Sequence, residues 1–145
     1  MAFLPPSTND RYKGSIVAVW GLGLFTLGTI APGLIHSFLP DGGAHVIAHL
    51  DTGDRDELVR GVFAWEGAAQ LALGLGMLAA VLRYRTLTSL FLALVIVERG
   101  LMTLQAWVLR PPAGGHHPPE HYASPVTVVL ATVFLALAMR ARKSA

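Results

Sequence analysis

A chain of 145 residues has room for one domain. Hydrophobic residues make up 53% of it and charged residues only 14%, where a soluble globular domain carries about 25% charged residues, so this chain has too few charges to wet its own surface. The formal charge of +2, spread rather than clustered, excludes a nucleic-acid-binding face, and the absence of cysteine excludes disulfides, thiolate chemistry and Cys-ligated metal centres.

Four apolar runs follow one another. The first, "SIVAVWGLGLFTLGTIAPGLIHSF", covers residues 15–38. It is too long for a signal-peptide core and lacks a clear small-residue cleavage site, so it is expected to be a retained helix. Pro40 and the pair Gly42–Gly43 stop it. The segment "AHVIAHL" that follows predicts a short helix lying in the interface. Asp54 and Glu57, three residues apart, have the spacing of an N-cap and its capping-box partner. The second helix is therefore expected from about residue 55 to 83, around the run "GVFAWEGAAQLALGLGMLAAVL". Along it, Ala64, Ala68, Ala72, Gly76 and Ala80 recur every four residues. Such a ridge lets helix backbones approach closely in lipid, and it places this helix at the bundle centre or against a second subunit.

The short basic turn "RYR" makes an antiparallel hairpin with a third helix expected over 86–110. The loop "RPPAGGHHPPEHYASP" is rich in Pro and Gly and is expected to be irregular. The fourth helix is expected over 123–142. A spanning helix needs about 20 mainly apolar residues, and each of the four runs supplies them. The expected fold is an all-α membrane protein: one four-helix transmembrane domain over residues 1–145, with a short interfacial helix in the first outer loop.

Orientation follows from Lys and Arg. Arg11, Lys13, Arg83, Arg85, Arg140, Arg142 and Lys143 share one side if all four runs span. Arg55, Arg60 and Arg110 share the other with Asp41, Asp51, Asp54, Asp56, Glu57 and Glu120. The positive-inside rule then places both termini in the cytoplasm.

Inside the third run, "ALVIVERGLMTLQAW" sets Glu98 beside Arg99. A charge at a helix centre costs about 2.5–3.5 kcal/mol on insertion scales, and neighbours on a helix point about 100° apart. Each needs a partner elsewhere. Hairpin register brings Gln70 level with Arg99 and Glu66 one turn further out, so Arg99 is expected to reach Glu66, with Gln70 as a second contact. Thr103, Gln105 and His36 extend this polar cluster outward. Glu98 has no evident partner in the hairpin and is expected to be neutral. The cluster reads as a clamp locking the hairpin, as an outward-opening pocket for a lipid headgroup or small molecule, or as a proton or ion path.

All six histidines fall on the outer side. His45 and His49, four apart, and His116, His117 and His121 in the other loop offer a zinc or copper set. Pro118 and Pro119 break the spacing of the second group, so no metal site is expected, and nothing indicates a haem pocket. No serine stands in a context that would activate it as a nucleophile.

The stretch from Glu57 to Trp107 carries a further pattern: an Arg before the second helix, a "LALGLGML" run, a short basic turn, and the pair Arg99–Gly100 late in the third helix. With the Gly- and Pro-marked first helix, this resembles the DoxX-like superfamily of small bacterial four-helix membrane proteins, over roughly residues 14–139. The resemblance implies an inner-membrane bundle and no single activity. Some relatives are subunits of quinone-reducing or thiol-redox complexes. Without cysteine the thiol chemistry does not carry over. The function expected is binding of a lipid, quinone or other amphipathic ligand, or service as a homo-oligomer or subunit of a larger membrane complex. A membrane enzyme or transporter using Glu66, Glu98 and Arg99 is the alternative.

Overall fold

The computed structural model describes residues 3–140. Arg142 and Lys143, expected on the cytoplasmic side after the fourth apolar run, lie outside the described residues. The elements are α1 (Ile16–Phe38), α2 (Asp56–Leu82), α3 (Thr88–Leu104) and α4 (Pro119–Met139), with short 3-10 turns at Asn9–Arg11, Gly53–Arg55 and Arg85–Leu87. Among the described residues these four helices are each long and apolar enough to cross a membrane. Large apolar side chains such as Trp20, Leu27, Trp65, Leu75 and Val97 stand exposed on their outer faces, as lipid-facing residues do. The chain is a multi-pass helical membrane protein.

The two helices of the tight hairpin are not each other's main packing partners. α1 packs chiefly on α2, and α3 on α4, with α1 also against α4; α2 and α3, joined by the tight turn, touch little. Glycine explains the first pairing. A Cβ on Gly67 of α2 would lie 2.8 Å from the Gly33 carbonyl oxygen of α1, so the two backbones meet where both lack side chains. The buried face of α2 is Gly67, Gln70, Gly74, Met77 and Ala80. The expected ridge therefore holds only at its inner end: Ala64, Ala68 and Ala72 are exposed, because Gly67 and Gly74 allow a closer approach than alanine does.

The core lies towards the α2–α3 turn. It joins Ala18, Leu22 and Phe25 of α1, Met77 and Ala80 of α2, Leu92 and Val95 of α3, and Ala131 and Ala138 of α4. This turn end is also closed by hydrogen bonds. The Thr8 amide and the Ser7 hydroxyl both donate to the Arg83 carbonyl, each at 3.0 Å, and the Asn9 side-chain amide donates to the Leu82 carbonyl at 2.8 Å. The N-terminal segment thus supplies the donors that the last turn of α2 lacks.

The opposite end, carrying both long loops, departs from expectation in three ways. Residues 40–48 form successive turns rather than a regular helix. The Asp41 carboxylate organises them, accepting from the amides of Gly43 at 2.9 Å and of His45 and Val46 at 3.0 Å each. Secondly, Asp54 and Glu57 form no capping box. The residue preceding α2 is Arg55, without a side-chain cap, and the polar junction is made instead by Thr52, His45 and Asp56. Thirdly, α4 starts at Pro119, a turn earlier than expected. Proline suits a first helical position because its missing N–H would be unpaired there anyway, and Glu120 follows as the acidic residue of the first turn.

Candidate functional site

Arg99 sits on the inward face of α3, its side chain only 9% exposed. Its Nη1 donates to Glu120 Oε1 of α4 at 2.7 Å, and its Nε lies 3.8 Å from Glu98 Oε2. The expected direct pair with Glu66 is not formed. That expectation assumed that the hairpin helices α2 and α3 pack along their length. They diverge, and the helix that does pack on α3 supplies the carboxylate. Sequence reasoning left Glu120 in an irregular loop. The signal available was the run "PPEHYASP", in which a proline pair followed by an acid has the form of a helix start.

Glu66 of α2 accepts from the Gln70 side-chain amide through Oε1 at 3.1 Å. Gln70 Oε1 is buried without a hydrogen-bond partner, as is Glu98 Oε2. His36, near the end of α1, has its ring edge-on to Phe63, with centroids 4.9 Å apart. Its Nδ1 lies 2.6 Å from the Gly42 carbonyl oxygen. A carbonyl can only accept, so Nδ1 carries a proton, and in the neutral ring Nε2 presents a lone pair. One donor atom each from His36, Glu66 and Glu120 lies within 4.8 Å of the other two. The structure therefore brings together His36, Glu66, Gln70, Glu98 and Arg99, and adds Glu120.

Two expected members stand apart. Gln105 is exposed, within a π-helical turn over Gln105–Leu109. Thr103 turns its hydroxyl back to the Arg99 carbonyl at 2.7 Å, the usual way a helix absorbs a hydroxyl in an apolar setting.

His36, Glu66, Arg99 and Glu120 line a cavity of about 650 Å³ among all four helices. Its walls are mainly apolar, including Phe25, Ile35, Val95, Met102 and Pro112. Gly28 and Pro32 of α1 line it too. Pro32 has no N–H, so it cannot pair with the Gly28 carbonyl four residues earlier. Pro125 acts likewise in α4, where the His121 carbonyl accepts the Trp107 indole N–H at 2.9 Å. That bond ties the π turn to the start of α4, and Trp107 stacks on His117 at 4.2 Å. The two long loops meet at this end, where His116 Nε2 donates to the Ala48 carbonyl at 3.0 Å.

The remaining histidines do not form the set their spacing offered. His45 and His49 share no helix, and His49 has a positive φ of 52°. His45 Nδ1 donates to the Leu50 carbonyl at 3.0 Å, and Nε2 meets Asp56 Oδ1 at 2.6 Å. The hydrogen bond to Asp56, and then that to Leu50, raise the His45 pKa above its usual value. The Asp41 carboxyl is held below its usual range by the amides of Val46 and Gly43. His117 and His121 pair with each other through Nδ1 at 3.0 Å.

Comparison with family models, with curated proteins and with solved structures found no match. The fold and site define a class, a multi-pass helical membrane protein with a charged cavity within its bundle. The functional reading rests on that cavity.

Proposed function

We propose that this protein binds an amphipathic small molecule, its apolar body in the cavity and its polar head at the Arg99 end. The observation that carries the reading is the cavity: about 650 Å³, walled mainly by apolar side chains, with convergent polar groups at one end. Ligand sites have this form and volume, with a few placed polar groups fixing orientation. A buried guanidinium suits a headgroup with hydrogen-bond acceptors. Membrane lipids and quinones share that chemistry.

The setting we propose is a bacterial inner membrane, with a DoxX-like architecture and both termini in the cytoplasm. Arg11, Lys13, Arg83, Arg85 and Arg140 at the turn end support this orientation. Val46 and Ile47, exposed on the first loop, would then sit at the outer interface. Reporter fusions at the C-terminus and within Gly114–Gly115 should report opposite sides, and the same side for both would refute the topology. Native mass spectrometry of the purified protein should find a bound molecule whose mass separates a phospholipid from an isoprenoid quinone. Its undiminished retention in a Gly28→Leu variant, where the new side chain narrows the cavity, would count against the binding reading.

A further inference from the structure

The charges at the cavity end do not balance. Glu66, Glu98 and Glu120 gather around one guanidinium, that of Arg99, which already meets both Glu98 and Glu120. Glu66 and Glu120 come together with His36 so that a donor atom of each is within 4.8 Å of the others. Carboxylates brought this close repel unless a cation or a proton stands between them.

Each of the three residues is also held by one hydrogen bond. His36 is fixed through Nδ1 by the Gly42 carbonyl at 2.6 Å. Glu66 is fixed through Oε1 by Gln70 at 3.1 Å, and Glu120 through Oε1 by Arg99 at 2.7 Å. His36 Nε2 and the second oxygen of each carboxylate are left without hydrogen-bond partners among the described residues. Metal ligands are oriented in this manner, with an outer hydrogen bond on the atom that does not bind the ion. The three come from α1, α2 and α4, and all line the cavity, so an ion here would keep a coordination position open towards it.

We propose that His36, Glu66 and Glu120 bind a divalent transition-metal ion. One imidazole nitrogen with two carboxylate oxygens suits an ion of intermediate hardness, such as Zn²⁺, Mn²⁺ or Co²⁺, rather than a soft one. Ligand distances near 2.0–2.2 Å place donor atoms roughly 3.3 Å apart in a tetrahedral site, so the donors close inward on the ion by side-chain rotation. The site does not use His45, His49, His117 or His121. It goes beyond the amphipathic-ligand reading and does not depend on it, because metal content is measured with no organic ligand present.

The test uses the full chain in detergent, stripped with a chelator and titrated with Co²⁺, whose visible absorption reports nitrogen and oxygen ligation. Wild type should take up about one equivalent and release protons as it does so. His36→Gln and Glu66→Gln should each abolish stoichiometric uptake, while His45→Gln should leave it unchanged. Gln70→Ala, which removes only the outer hydrogen bond, should weaken binding about 10–100-fold. A folded wild type that takes up no stoichiometric Co²⁺ overturns the proposal and leaves a shared proton as the charge balance. An unchanged spectrum in His36→Gln and Glu66→Gln places the ion elsewhere and overturns it too. Should both ligand variants fail to fold, unaltered affinity in Gln70→Ala decides against the site.

Discussion

The two ends of the bundle solve opposite problems. At the turn end, Leu22, Met77, Leu92 and Ala131 are fully buried, and the N-terminal segment satisfies the last carbonyls of α2. At the loop end the helices lean on glycine at the α1–α2 crossing and then enclose a cavity, and charged groups replace apolar packing. α2 and α3 are joined at the closed end and held apart at the other. The closed end makes the bundle, and that stability supports a charged cavity that no isolated hairpin would keep.

The largest expected effect tests which carboxylate belongs to Arg99. Removing one partner of a buried ion pair costs about 3–5 kcal/mol, because the survivor is left uncompensated. Arg99→Gln should approach that, and Glu120→Gln should fall somewhat short because the Glu120 side chain is 30% exposed. The double variant should recover much of the loss. Thermal unfolding in detergent, read as a double-mutant cycle, checks it. Coupling of Arg99 to Glu66 larger than to Glu120 would restore the hairpin pairing and contradict the geometry.

Next comes the glycine crossing. A Cβ at Gly67 would stand 2.6 Å from Ser37 Oγ, 2.8 Å from the Gly33 carbonyl and 2.9 Å from His36 Cβ. Two of these neighbours cannot rotate away, so Gly67→Val should cost about 1–3 kcal/mol by overpacking, measured by the same unfolding assay. It should also disturb His36, so ligand or metal binding should fall with stability.

Gly28 sharpens the contrast. A Cβ there meets nothing within 4 Å, because the residue borders the cavity. Gly28→Leu should therefore leave stability unchanged or raise it by about 0.5–1 kcal/mol, the usual cost of glycine within a helix. A loss as large as that at Gly67 would mean that the cavity is closed by packing.

These positions show what was legible in the residues. The four helices were, because long apolar runs and stop signals are local features. That Glu66, Glu98 and Arg99 belong to one polar cluster was legible as well, since a charge in an apolar run needs a partner wherever it lies. The partner itself was not. Register counted along the α2–α3 hairpin assumes that those two helices pack on each other, whereas Gly33 and Gly67 let α2 pack on α1 and α3 packs on α4. Glu120 was hidden because a Pro-rich stretch reads equally well as a loop or a helix start, and only packing against α3 decides. The alanine ridge misled for a related reason: four-residue spacing marks a face but not what it faces.

The smallest effect concerns the loop end alone. His45 donates from Nδ1 to the Leu50 carbonyl and meets the Asp56 carboxylate through Nε2, and a ring that donates on both sides is the charged form. Its folded pKa is raised above the ordinary histidine value of about 6.5, first by the bond to Asp56. A raised pKa means that the folded loop holds its proton more tightly than the unfolded chain does. The stabilisation is then fully present below pH 6.5 and is lost as pH rises through the folded value. Asp41, whose carboxyl is held low, stays ionised throughout that window and does not oppose the trend. The first loop should therefore exchange its amide hydrogens faster as pH rises from about 6.5 into the alkaline range, after correction for intrinsic exchange, while the turn end shows no such trend. His45→Gln should flatten the profile. An unchanged profile in that variant would show that the loop is held by the Asp41 amide bonds and that the His45–Asp56 pair adds nothing to them.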